Sequence, residues 1–307
     1  MTATPHQRSA TAMMLAGAAI IGTNGLMVRL AHTPPTVTAF WRMLLSAVLL
    51  GLLVQARHGW VRLPRRAWAW IAVPAVAFAC DLWMWHRSIL TVGPGLATLL
   101  ANAQVFFMVA AGALFFGERI APRFLLGLLL AFGGLWLLLG GGWTTLPADY
   151  RWGVWLGLAT GVAYAFYNIG IARSQSAAAA GAERAPIEQV LCLASLGSAL
   201  VLGLMALGEG SRFAIGDART LVVLLVLAAF GHCLSWILIS RAMARLPVAL
   251  VGLLLLLQPI VAYLIDVLFF DVQPTARQWL GLACSLAGIF LAGLKPKVAR
   301  PPVQAVP

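Results

Sequence analysis

The sequence predicts an all-α integral membrane protein, with ten transmembrane helices arranged as two inverted five-helix repeats around a central cavity. Three observations lead there. The chain is 62% hydrophobic and only 10% charged, where a soluble domain carries roughly 25% charged residues. Its apolar residues fall into ten runs, most of them close to the roughly 20 residues that a bilayer-crossing helix needs. Finally, the chain aligns with itself at an offset of 154 positions.

Bounded by Pro, Gly or charge, the runs lie near 12–31, 36–56, 68–91, 94–116, 124–142, 153–173, 187–207, 219–240, 247–270 and 278–294. The first resembles a cleaved leader, but it continues through Gly22, Asn24 and Gly25 without a cleavage site, so it reads as a span. The turn Thr91-Val92-Gly93-Pro94-Gly95 is too short for anything but antiparallel neighbours, and Pro94 suits the first turn of the fourth helix. On this division 1–11 and 295–307 are cytoplasmic ends, 12–142 and 153–294 are the repeats, and 143–152 connects them on the periplasmic side. Of the 21 Lys and Arg, fourteen fall on the side of the termini. Only Arg29, Arg151, Arg212, Arg219 and Arg277 fall on the other, while Arg42 and Arg87 lie within spans. This bias predicts a multi-pass membrane protein with both termini cytoplasmic.

The same scatter of basic residues argues against nucleic acid as a partner. Cys80, Cys192, Cys233 and Cys284 sit unpaired in apolar runs, which implies neither a disulfide framework nor a metal site. No G-x4-G-K-[ST] loop is present, so ATP is not the energy source, and no cofactor is expected. A channel is disfavoured because no charged ring or filter-like loop occurs. A membrane-embedded enzyme using Asp81, His86 and His232 lacks a paired acidic metal motif and a nucleophile elbow. The expected partners are a small-molecule substrate and the lipid bilayer, with the chain a monomer or weak dimer.

The offset of 154 places Arg87 on Arg241, Gln104 on Gln258, Leu114-Phe115-Phe116 on Leu268-Phe269-Phe270, Gly127 on Gly281 and Gly134 on Gly288. An offset of 144 near the start of each half places Gly17 on Gly161 and Asn24 on Asn168. Because five is odd, the second copy enters the membrane from the opposite side, and the halves are inverted. Inverted repeats are a common plan of secondary transporters, with the substrate held near the midplane between halves and released by alternating access.

Arg87 to Leu139, with its Phe115-Phe116-Gly117-Glu118-Arg119 ending, and Arg241 to Gly293 resemble the drug/metabolite transporter superfamily in its EamA-type ten-helix branch. Within that branch, Asp81-Leu82-Trp83-Met84-Trp85-His86-Arg87 is similar to the YddG-type bacterial aromatic amino-acid exporters. The resemblance implies export of small amphipathic metabolites across the bacterial inner membrane, aromatic amino acids (Phe, Tyr, Trp) first among them; other amino acids, metabolites or cationic drugs are the alternative cargoes. Two departures stand out. Val105 follows Gln104 where Pro259 follows Gln258, and Asp271-Val272 replaces the Glu-Arg pair in the second half.

Polar groups inside a bilayer are functional candidates by default. On the third helix Asp81, Trp85 and Ser88 share a face, with Trp83, His86 and Arg87 adjacent. Rings beside a charged pair suit an amphipathic substrate; an interface anchor is the alternative, equal to the cavity for Trp83, while Trp85 and His86 read toward the cavity. His86 either lines the cavity or relays protons. Tyr164, Tyr167 and Asn168 form one stripe of the sixth helix, opposite a Gly153, Gly157, Gly161 ridge that reads as a packing surface, and Asn24 matches Asn168. His232 and Trp236 form a stripe on the eighth. Trp41 and Arg42 stand on the second, where Arg42 either meets a substrate carboxylate or neutralises Asp81. Asn102 and Gln258 are polar in mid-run, and Pro259 removes a backbone donor beside Gln258. Asp266 is a further proton or cation candidate. The fifth and tenth helices, almost without polar residues, are expected to be packing scaffold.

Overall fold

The computed structural model describes residues 5–57, 59–116, 122–139, 142–180, 185–243, 245–246 and 248–293. Gly117-Glu118-Arg119, Arg184 and the basic tail 295–307 lie outside them. Among the described residues every regular element is helical. Eight helices are long and apolar enough to cross a membrane, and two shorter apolar helices, Leu253–Phe269 and Ala276–Ala292, follow.

The first apolar run is two helices, α1 (Pro5–Gly22) and α2 (Asn24–Leu30), because Thr23 turns its hydroxyl back onto the Ile20 carbonyl at 2.7 Å. Next come α3 (Pro35–Arg57), α4 (Arg65–Val92) and α5 (Pro94–Ala101). Pro opens α3 and α5, where a missing N–H costs nothing. The chain reaches Pro94 through Gly93 at φ +89°, a conformation suited to glycine. The expected loop 143–152 is shorter than its sequence implies. After α6 (Gln104–Phe116), α7 (Pro122–Leu139) and one 3-10 turn at Trp143–Thr145, α8 spans Ala148–Ala179. Asp149 in its first turn complements the helix dipole, and alanines extend its far end.

The fourth and ninth runs are each interrupted at one matched position. Between α5 and α6 the chain breaks at Asn102-Ala103, and between α12 (Val248–Leu255) and α13 (Leu257–Phe269) it breaks at Leu256. Asn102 and Leu256 are 154 positions apart. Pro259 supplies the second break by withholding a donor. The first occurs without proline: Asn102 Nδ2 donates to the Thr98 carbonyl at 2.8 Å, and its backbone N–H reaches the same oxygen at 3.1 Å. The absence of Pro after Gln104 therefore does not restore a continuous helix.

After α9 (Ile187–Gly208), the eighth run is α10 (Ala218–Ala228), a π-helical stretch Ala229–Leu234, and α11 (Ser235–Met243). The widened turn frees the Gly231 carbonyl, which accepts Asn24 Nδ2 at 2.9 Å and Ser235 Oγ at 3.0 Å. Helix α14 (Ala276–Gly293) closes the bundle.

Helix α4 packs along α8, α9 along α3 and α4, α11 along α1, α13 on α5, and α7 on α14. Glycines make the last contact possible. A Cβ on Gly127 would stand 2.6 Å from the Gly288 carbonyl, and one on Gly281 would stand 2.6 Å from that of Gly134. The Gly153, Gly157, Gly161 ridge of α8 likewise meets Thr91, Leu100 and the backbone of the α5–α6 break. The outer face of α7, with Leu125, Leu126, Leu129 and Trp136, is exposed. That is the composition of a surface facing lipid.

Candidate functional site

Between the two broken helices lies a cavity lined by side chains from several helices. Helix α3 contributes Arg42, and α4 contributes Phe78, Asp81 and Trp85. Thr98 and Asn102 come from the end of α5, Tyr164 from α8, Trp236 from α11, Asn24 from α2 and Gln258 from α13. Eight of the thirteen residues singled out from the sequence thus meet at one place: Asn24, Arg42, Asp81, Trp85, Asn102, Tyr164, Trp236 and Gln258.

Two charges dominate its chemistry. Arg42 is 3% exposed and Asp81 5%, yet the ion pairs within 4.0 Å among the described residues are His32 with Asp217, Arg87 with Glu209, and Arg241 with Glu188. Arg42 and Asp81 therefore share a cavity without a direct ion pair within 4.0 Å. The Arg42 Nε and Nη1 atoms have no hydrogen-bond partner among the described residues. Its guanidinium stands 5.8 Å from the Trp85 ring centre, a cation–π distance.

The opposite wall is aromatic. Tyr164 and Trp236 meet edge to face at 6.4 Å, and Tyr167 stands behind them, stacked on Phe78 at 4.2 Å and edge-on to Trp236 at 5.2 Å. Tyr167 thus holds the wall from outside the cavity. The polar rim is Thr98, Asn102, Asn24 and Gln258, all next to a helix break or the π turn. Thr98 and Thr160 were not singled out in the sequence, since a lone Thr in an apolar run reads as a helix-packing residue.

The other four stand elsewhere. Trp41 donates its indole N–H to the Phe213 carbonyl at 2.9 Å. His86 Nδ1 lies 3.1 Å from the Pro35 carbonyl, tying α4 to the start of α3. Asn168 Nδ2 donates to Gln104 Oε1 at 2.7 Å and to the Tyr164 carbonyl at 2.8 Å, which clamps α8 to the α5–α6 break. His232 Nε2 lies 3.1 Å from Ser195 Oγ, with its ring 5.5 Å from Phe78. Trp83, for which cavity and interface stood equal, donates to Glu209 Oε1 at 2.7 Å. Asp266 Oδ2 accepts the Gly95 N–H at 2.8 Å, at the start of α5.

Comparison with known proteins bears on what a cavity between discontinuous apolar helices serves. The description of the EamA-like transporter family matches residues 8–140 and matches again over residues 151–294. The chain belongs to the EamA-like transporter family. This EamA-family protein is therefore a multi-pass membrane protein of a transporter family. It is similar to the uncharacterized transporter YwfM of Bacillus subtilis (strain 168), with 24% identity over 289 residues covering 90% of each chain. A shorter stretch of 91 residues is 31% identical to the probable 4-amino-4-deoxy-L-arabinose-phosphoundecaprenol flippase subunit ArnE of Enterobacter sp. (strain 638), covering 30% of this chain and 84% of that protein. Among solved structures, one crystal structure shares the fold with a TM-score of 0.64 at 20% identity, over 93% of this chain and 98% of that one.

Proposed function

We propose that this EamA-family transporter is a secondary carrier that exports small amphipathic metabolites, aromatic amino acids above all, across the bacterial inner membrane by alternating access. The observation behind this reading is that Arg42 and Asp81 are buried, with no ion pair within 4.0 Å, on one cavity whose remaining walls include Trp85, Tyr164 and Trp236. Burying two ionisable groups without a direct ion pair is costly. A zwitterion relieves both at once, its carboxylate meeting the guanidinium and its ammonium the Asp81 carboxylate, while an aromatic side chain finds rings to stack on.

Two inverted five-helix repeats supply the motion in this reading. Support comes from the helix breaks at Asn102 and Leu256, 154 positions apart, and from the paired packing of α4 on α8 and α11 on α1. The double family match over 8–140 and 151–294 fits it as well. The bias of basic residues supports cytoplasmic termini in this reading.

The test is flux. Purified protein in liposomes is given labelled Phe or Trp inside, and release is followed with and without a pH difference. Saturable release, competed by Phe, Tyr and Trp, is the expected result. Protein that is folded yet neither binds nor moves any of the three sinks the aromatic cargo, and competition by Thr, Cys or a cationic drug then identifies the replacement. Flux indifferent to pH makes the protein a facilitator; flux accelerated by a proton gradient makes it an antiporter.

A further inference from the structure

Helix α9 has an ion pair at each end, and both partners are arginines matched in the 154-residue repeat. Just past its last turn, Glu209 Oε1 accepts Arg87 Nη2 at 2.6 Å and the Trp83 indole N–H at 2.7 Å. Its Oε2 accepts Thr36 Oγ1 at 2.7 Å. Arg87 also donates to Thr36 Oγ1 at 2.9 Å and to the Trp83 carbonyl at 3.1 Å, with its guanidinium 4.1 Å from the centre of the Trp83 ring. At the other end, Glu188 Oε1 receives Arg241 Nη2 at 3.4 Å. Glu188 is the second residue of α9 as Thr36 is the second of α3. Each arginine therefore reaches the first turn of one of these two helices. At 22 residues, α9 is about 33 Å long, so the two pairs stand at opposite faces of the membrane.

Arg87 stands five residues before the end of α4 and Arg241 in the last turn of α11, and the turns preceding each line the cavity. Asp81 and Trp85 come six and two residues before Arg87 on α4, and Trp236 comes five residues before Arg241 on α11. A force applied to the cavity wall is thus transmitted along a rigid helix to a charge that ties it to α9.

We propose that Arg87 with Glu209 and Arg241 with Glu188 are the two alternating gates of the carrier, each pair holding the cavity shut toward its own face. This rests on the carrier reading above. The residues are positioning residues: they touch no cargo, and they act by setting which way α4 and α11 lean against α9. Breaking the Glu209 network frees the end of α4 and opens the cavity to the Glu209 face, while the Glu188 pair keeps the other face closed. Breaking the Glu188 pair does the reverse.

The experiment reads sidedness and needs no cargo. Cys80, Cys192, Cys233 and Cys284 are replaced by Ser or Ala, and the small cavity-wall residue Ala101 is replaced by Cys as the probe. A membrane-impermeant methanethiosulfonate is applied to sealed vesicles from one face or the other. Glu209→Gln is expected to raise labelling from the Glu209 face by about threefold or more, the scale on which a modest ion pair biases a two-state equilibrium. Glu188→Gln should raise it from the opposite face only. The exchanged pair Arg87→Glu with Glu209→Arg should return labelling toward the parent pattern, which a merely loosened fold would not do. Labelling that rises equally from both faces, that does not change, or that is absent from both faces in every variant overturns the gates. Lack of flux for Phe, Tyr and Trp overturns the aromatic cargo and leaves this measurement standing. Saturable flux without asymmetric labelling overturns the gates and leaves the carrier.

Discussion

Arg42 and Asp81 line the same cavity with no ion pair between them within 4.0 Å. The sequence allowed two roles for Arg42, neutralising Asp81 or meeting a substrate, and the separation favours the second. Charge-assisted hydrogen bonds of about 1.5–3 kcal/mol each translate into a rise in half-saturation of about 10- to 100-fold for Arg42→Gln or Asp81→Asn. The empty protein should not weaken with it, because neither side chain makes an ion pair within 4.0 Å among the described residues. Its thermal midpoint is expected to stay level or rise. A clear fall in midpoint for both variants would show that the two side chains support the fold.

Asn168 makes a contrasting case. Its amide bonds Gln104 and the Tyr164 carbonyl, and interhelical side-chain bonds of this kind average about 0.6 kcal/mol in membrane proteins. Asn168→Ala should therefore lower stability only slightly and leave half-saturation for Phe or Trp unchanged. Unfolding in detergent and flux in liposomes check the two halves of this prediction.

The α7–α14 crossing should be far less tolerant. A Cβ at Gly134 meets the Gly281 carbonyl and Ser285, and one at Gly288 meets Ala131 and the Gly127 carbonyl, all closer than van der Waals contact. Gly134→Val or Gly288→Val is expected to destabilise by about 1–3 kcal/mol, the usual effect of overpacking. Gly133→Val on the same helix, where nothing stands within 4 Å, should be close to neutral. Thermal midpoints of the three variants decide it.

Glu209 gives the protein a pH dependence of definite sign. Burial pushes its carboxyl up, but hydrogen bonds from Trp83 and Thr36 and the Arg87 cation outweigh burial and hold it below its ordinary value of 4.5. A depressed carboxylate stabilises the networked state above its ordinary value and loses that contribution as pH falls through the depressed one. Wild type should accordingly be more stable than Glu209→Gln at neutral pH. The advantage should shrink below pH 4.5 and disappear on further acidification. An advantage that grows on acidification contradicts the assignment.

The apolar runs, the matched register and most of the cavity wall were legible because a bilayer penalises every polar side chain that lacks a purpose. Asp81, Arg42 and Asn102 stand out against Leu and Ala for that reason. What the sequence hid was continuity. Nothing in Ala228-Ala229-Phe230-Gly231 announces a π turn, and Asn102 breaks its helix by bonding Thr98 where proline was the signal to look for. Side-chain direction was equally hidden. Tyr164 faces the cavity and Tyr167, one turn on, backs it, because Phe78 of another helix occupies the intervening space. His86 and His232 read as site residues, yet each reaches away toward a neighbouring helix, to Pro35 and to Ser195.

The pairing of α7 with α14 also orders events during synthesis. Helix α7 ends at Leu139, and its partner is complete only at Gly293. While the ribosome makes the intervening residues, the glycine face of α7 waits in the membrane without its mate. Backbone carbonyls on that face are already bonded within the helix, so the waiting segment is chemically quiet, and it is geometrically open. Helix α14 is the one that fits it, so a nascent chain cut short before residue 276 would keep helices α1 to α13 and lack the α7–α14 seam.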